Sequence, residues 1–249
     1  MITPSTVETQ GDVLRLRTVS SIRTIKRTRT RGKVTAFSRK SRRRLLEKFA
    51  RMGNTKSPPV FLTLTYVSNM VDSTRGKAHL RTFLERVRRK FPKSSGVWRI
   101  EYQKRGAVHF HLILFNLPFW KADDIRDAWG EIIGEENPRI RIELCHSRRK
   151  LTSYVSKYIA KVASESFVSL SNVPYPHAGR WWGVFNKSFI PMAILRIYEV
   201  LENKKAFWNL RRAIDRYYPS RRKSYAGGAM LFTQNVDEWV RYFKVLAVT

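Results

Sequence analysis

The stretch Val108-His109-Phe110-His111-Leu112-Ile113-Leu114-Phe115 decides how this chain reads. Apart from its two histidines it is β-branched, aromatic or aliphatic, and Gly106 stands just before it. That is the composition of a buried central strand. Successive strand side chains point to opposite faces, so His109 and His111 share one face. Neutral imidazole is a common metal ligand, and two on one face of a rigid strand make half of a coordination shell. The competing interpretation is a pair of core histidines with satisfied hydrogen bonds.

Upstream, Gly96-Val97-Trp98-Arg99-Ile100-Glu101-Tyr102 is a second strand-like run, joined to the first through Gln103-Lys104-Arg105-Gly106. If Lys104, Arg105 and Gly106 form a three-residue loop with Gly106 left-handed, Gln103 pairs with Ala107 and Glu101 faces His109. A two-residue loop would slip the register and turn Glu101 away. Two imidazoles, a carboxylate and open positions suit Mg²⁺ or Mn²⁺. Zinc also fits, although the lone Cys145 lends no support to a structural zinc site.

The rest of the chain frames this hairpin. Its 249 residues suit one large domain, or one with arms, and 43% hydrophobic content is enough for a core. The net charge is +30, from 49 Lys+Arg against 19 Asp+Glu, which calls for a polyanionic partner, nucleic acid first and a membrane surface second. No apolar run is long enough to span a bilayer, and no signal-peptide pattern opens the chain. One cysteine excludes an internal disulfide framework and fits a reducing cytoplasm.

Along the chain, the first residues to about Val13 are polar and predict a loose end. From Leu14 to Arg44 basic residues are dense, which predicts either an arm that neutralises phosphates or a solvated tail. Ser38 or Ser41 caps a short helix with Leu45, Leu46, Phe49 and Met52 on its apolar face. Val60 to Tyr66 is the first core strand. A helix then buries Leu80, Phe83, Leu84, Val87 and Phe91 and turns Lys77, Arg81, Arg86, Arg88, Arg89 and Lys90 outward. After the hairpin, 122–133 reads as a helix and 139–144 as a half-buried strand. The order predicts an α+β fold: a ferredoxin- or RRM-like antiparallel sheet flanked by helices. The expected domains are a basic N-terminal arm with a short helix (1–56), a central domain (57–190), and a helical basic C-terminal extension (191–249).

Leu151 to Val162 reads as a helix with Leu151, Val155, Ile159 and Val162 in one stripe. Tyr154, Lys157, Tyr158 and Lys161 share the adjacent face. A phenol is a poor nucleophile at neutral pH unless a cation or a polarised target assists it. The plainer alternative is two half-buried tyrosines with snorkelling lysines.

Taken together, these stretches resemble the HUH endonucleases, in particular the two-tyrosine rolling-circle replication initiators (Rep proteins) of small single-stranded DNA phages. Phe61-Leu62-Thr63-Leu64-Thr65-Tyr66 resembles the family's first motif. Val108 to Leu114 matches its histidine–hydrophobic–histidine motif, and Tyr154 to Lys161 resembles its two-tyrosine motif. Gly179-Arg180-Trp181-Trp182-Gly183-Val184-Phe185-Asn186 resembles a further segment of phage initiators. Plasmid-transfer relaxases place the tyrosines upstream of the histidines; here they lie downstream. The resemblance implies a five-stranded antiparallel sheet carrying a metal, Mg²⁺ or Mn²⁺, on Glu101, His109 and His111. It further implies that Tyr154 or Tyr158 nicks single-stranded DNA at an origin hairpin, leaving a 5′-phosphotyrosine and a 3′-OH primer, with Lys157 and Lys161 beside the reacting phosphate. The expected partners are the origin DNA and a host polymerase. Since no Gly-x4-Gly-Lys-Ser/Thr loop is present, a host helicase is expected as well. The expected location is the cytoplasm of a bacterial or archaeal host, on a phage or plasmid replicon, with no membrane partner. An HUH transposase or relaxase, and a non-catalytic nucleic-acid-binding module with an RRM-like sheet, remain as alternatives. For Trp181 and Trp182 the choice is base stacking or core packing, with packing preferred.

Overall fold

The computed structural model describes residues 5–18, 37–103, 105–155, 179–200, 204–217 and 228–248. In chain order the elements are β1 (Ser5–Gln10), β2 (Val13–Thr18), α1 (Arg39–Ala50), β3 (Val60–Thr65), α2 (Ser73–Lys90), β4 (Ser95–Tyr102), β5 (Val108–Phe115), α3 (Ala122–Ile133), β6 (Ile140–Leu144), α4 (Arg148–Tyr154), β7 (Trp182–Phe185), β8 (Arg196–Val200), α5 (Lys204–Tyr217), β9 (Gly228–Phe232) and α6 (Val236–Val248). They divide into two compact units. One is formed by Arg31–Leu46 and Thr55–Pro191, the other by Met1–Thr30, Glu47–Asn54 and Met192–Thr249.

The first unit is the expected α+β domain. Its sheet has the order β6-β3-β5-β4-β7 with every pair antiparallel, and the strand order that results from β3-α2-β4-β5-α3-β6 is the ferredoxin-like one. The histidine-bearing strand β5 lies at the centre, as its apolar composition demands. On one face Phe110, Leu112 and Leu114 pack beneath α2 and α3, where Phe83 and Trp129 complete an aromatic core. Trp129 satisfies its indole N–H on the Thr65 carbonyl at 3.2 Å. Full burial of each such large apolar side chain contributes roughly 1.5–3 kcal/mol. α2 begins at Asp72, whose carboxylate accepts from the Thr74 and Arg75 backbone N–H groups at 2.7 and 3.3 Å. α3 ends on Gly134 at φ +69°, a left-handed stop that glycine takes without steric cost.

The hairpin between β4 and β5 has the three-residue register. Gln103 N–H donates to the Ala107 carbonyl at 2.8 Å, Gly106 sits at φ +88°, and Glu101 is paired with His109.

The second unit departs from the sequence expectation. Its sheet, ordered β8-β1-β2-β9, joins strands from both ends of the chain. Residues 5–10 are a strand rather than a loose end, and the basic stretch starting at Leu14 begins inside a second strand, β2. The C-terminal region contributes β8 and β9 beside its helices. β1 is illegible in the sequence because it shows only one aliphatic residue, Val7, and buries Thr9 as well. Its burial comes from partners across the sheet, and β8 lies far along the chain. The core collects Val7, Leu14 and Leu16 with Phe207, Leu210 and Ile214 of α5 and Val240 and Phe243 of α6. Among the described residues no helix is long and apolar enough to cross a membrane.

Candidate metal centre

Strand alternation and the hairpin register together build a polar site on the face of the five-stranded sheet opposite α2 and α3. β5 turns His109 and His111 to this face, and β4 turns Arg99 and Glu101 to it. The ligand atoms of Glu101, His109 and His111 all lie within 4.8 Å of one another. His111 Nε2 is 2.9 Å from Glu101 Oε2 and 2.9 Å from His109 Nε2. His111 is buried, and the other two are half-buried.

β3 supplies the support. Thr63 Oγ1 is 3.2 Å from His111 Nδ1, and Thr65 Oγ1 is 3.3 Å from His109 Nδ1. With each hydroxyl accepting from an Nδ1–H, both Nε2 atoms keep their lone pairs aimed into the cluster, the tautomer a metal ligand requires. The sequence places Thr63 and Thr65 in a motif but gives them no role. That role appears only once β3 is paired with β5 in the observed register, Thr63 with His111 and Thr65 with His109.

The electrostatics suit a cation. Burial pushes the His109 imidazole down to about 3, with the His111 ring adding to the effect and Glu101 opposing it. The ring is therefore neutral at physiological pH and free to coordinate. Burial alone would raise the Glu101 carboxyl, but the His111 hydrogen bond and the nearby charges of His111 and Arg99 outweigh it and hold it below its usual value. Arg99, paired with His111 across the β4–β5 ladder, is 1% exposed and lies 4.5 Å from the centroid of the Phe37 ring. Guanidinium stays charged in proteins, so Arg99 places a fixed positive charge on this face. The charge pattern of the sequence does not single it out.

Donor set and spacing thus fit a divalent cation with oxygen and imidazole preference, held by Glu101, His109 and His111. Among the described residues this is the one cluster of three such groups. Cys145 is not part of it. Its thiol is buried and pushed up to about 11 by that burial, against the pull of Lys150.

α4 brings Tyr154 to the same face. Its half-buried ring stacks on Phe61 at 4.7 Å between centroids, with 14° between planes. Phe61 in turn stacks on His111 at 5.6 Å and 22°. A ladder of three rings, His111–Phe61–Tyr154, thus runs from the centre of the sheet to the helix. The Lys150 ammonium lies 6.0 Å from the Tyr154 ring centroid, a cation that the sequence pattern does not single out. Lys157, Tyr158 and Lys161 lie outside the described residues. Trp181 is buried against Tyr102, and Trp182 donates its indole N–H to Ser41 Oγ at 3.0 Å, so both are engaged in packing.

The loop after β3, which borders the hairpin, is clamped from two sides. Arg105 donates to the Tyr66 and Val67 carbonyls at 2.5 and 2.8 Å, and the Glu135 carboxylate accepts from the Val67 and Ser68 N–H groups.

An α+β domain with a His-His-Glu cluster on one face of its antiparallel sheet is the class that fold and site define. Residues 59–163 match the model of a family of replication-associated proteins, the ORF2 family. That segment runs from the start of β3 past α4 and contains Glu101, His109, His111 and Tyr154. The match supports a role in DNA replication initiation and, at a coarse level, an endonuclease-type enzyme acting on DNA. No curated protein and no solved structure matches the chain.

Proposed function

We propose that this protein starts rolling-circle replication by nicking and rejoining single-stranded DNA at an origin, as a two-tyrosine HUH endonuclease. The observation that carries the proposal is the ring ladder that sets Tyr154 on the same sheet face as Glu101, His109 and His111. Mg²⁺ or Mn²⁺ held by those three residues would act as a Lewis acid on the scissile phosphate. The Tyr154 or Tyr158 phenol loses its proton and its oxygen attacks phosphorus. The P–O3′ bond breaks, and the departing oxygen takes up a proton to become a 3′-OH. The product is a 5′-phosphotyrosine whose bond energy matches the phosphodiester it replaced, so rejoining needs no nucleotide. Lys150 near Tyr154, together with Lys157 and Lys161, supplies positive charge for the phosphate under attack. The second tyrosine, or the 3′-OH, resolves the link after one round of synthesis by a host polymerase, with a host helicase unwinding ahead.

The experiment is incubation of the full chain with a randomised single-stranded DNA library, with Mn²⁺ or with EDTA. The expected result is a DNA adduct that survives boiling in detergent and forms only with the metal. Equal adduct in EDTA, or none under any metal, overturns the proposal.

A further inference from the structure

The opposite side of the same sheet carries a second feature, remote from the metal centre. α2 turns Lys77, Arg81 and Arg88 along one side of a groove of about 380 Å³, and Arg180 closes it from the segment preceding β7. Positions 77, 81, 84 and 88 follow helical spacing, so one stripe of α2 runs along the groove. The floor is apolar: Leu80, Leu84, Phe185 and the half-buried Trp98. One acidic residue, Glu85, lines it against four cations. Among the described residues none of the four cations is ion-paired.

Two details show how the groove is shaped. Trp98 precedes Arg99, so alternation turns it away from the metal face. It is paired with Gly183 of β7, and a Cβ at Gly183 would meet the Trp98 indole at 2.7 Å, so the absent side chain lets the ring lie against the neighbouring strand. Burial and the neighbouring Arg180 both push the Lys77 ammonium below its usual range, a cost that an anion set between the two cations would relieve.

We propose that this groove is a second nucleic-acid site, which holds a single-stranded segment with a base against Trp98 and its phosphates against Lys77, Arg81, Arg88 and Arg180. A base-paired strand would offer phosphates but no free base face to an aromatic floor, which is why the occupant is single-stranded. The site requires neither the metal nor a tyrosine, and it goes beyond the nicking reaction. It would keep a displaced or incoming strand on the molecule while chemistry proceeds on the other face.

The test is binding of 5-iodouracil-substituted poly-dT to the full chain in EDTA, where nicking is silent, so its outcome is independent of the proposed reaction. Two charge-matched variants are compared with the parent. The groove variant is Lys77→Gln/Arg81→Gln/Arg88→Gln/Arg180→Gln. The control, Lys205→Gln/Arg212→Gln/Arg216→Gln/Arg241→Gln, removes four exposed cations from the other compact unit. Each phosphate contact to a single strand adds about 0.7 to the slope of log K against log salt. The groove variant should therefore flatten that slope by about 2–3 and lose a photo-crosslink to Trp98, whereas the control keeps both. Equal slopes in the two variants, or no crosslink at Trp98 in the parent, overturn the proposal. So does a groove variant that loses poly-glutamate binding while poly-dT binding is unchanged, since that outcome assigns the groove to an acidic protein.

Discussion

The two faces of β5 make opposite demands of neighbouring residues. Phe110, Leu112 and Leu114 face α2 and α3, are at most 1% exposed, and hold the domain together by apolar burial. His109 and His111 alternate with them yet sit in a polar cluster, each with a threonine hydroxyl at Nδ1 and its Nε2 among the would-be ligands. Burying an imidazole without partners would cost stability; here every ring nitrogen has one. One strand can therefore serve stability with one parity and chemistry with the other, and damage to one face should leave the other largely intact.

The separation can be attacked from both sides. His111→Ala should lower metal-dependent cleavage by about 100-fold or more while the protein stays folded, measured as cleavage rate alongside a urea unfolding curve. Phe110→Ala and Leu112→Ala should do the reverse, costing about 3–5 and 2–5 kcal/mol of unfolding free energy. The residual folded protein should still bind Mn²⁺. A cleavage loss in Leu112→Ala beyond its unfolded fraction would break the comparison. Thr63→Val removes the hydroxyl behind His111, and a roughly 10–100-fold weaker Mn²⁺ affinity by calorimetry is expected, with little change in stability.

The smallest effect concerns His79, which lies on the helix-bearing side with its Nδ1 3.0 Å from the Tyr66 hydroxyl. Burial and Arg75 push its pKa below 6.5, with Glu135 opposing. A base whose folded pKa is depressed takes up its proton more readily in the unfolded chain. Its contribution to stability is therefore present above 6.5 and falls as pH drops through the window beneath. In an NMR titration its midpoint should lie under 6.5, and Mn²⁺ should broaden the ring signals of His109 and His111 well before those of His79.

What can be seen in the sequence follows from how local each signal is. The His-x-His strand, the α2 stripe and the helix at 122–133 carry their periodicity within a dozen or so residues, and the structure has all three. The hairpin register rests on one glycine, Gly106, and that is enough to bring Glu101 opposite His109. Thr63, Thr65, Phe61 and Arg99 are not legible as site residues, because their roles depend on pairing between strands that the chain does not join directly or on packing across the sheet face. The four-stranded sheet escapes for the same reason on a larger scale. β1 pairs with β8, and neither Thr9 nor Val7 announces a partner so distant. In β2 the Val-Leu-Arg-Leu-Arg-Thr alternation is present, but the density of basic residues obscures it.

The proposed chemistry turns on the tyrosines. Mass-spectrometric mapping of the adduct formed with single-stranded DNA and Mn²⁺ should find the nucleotide on Tyr154 or Tyr158, and Tyr154→Phe/Tyr158→Phe should yield none. An adduct of undiminished amount in that double variant, or one mapped to a residue on the helix-covered side of the sheet, would contradict that assignment.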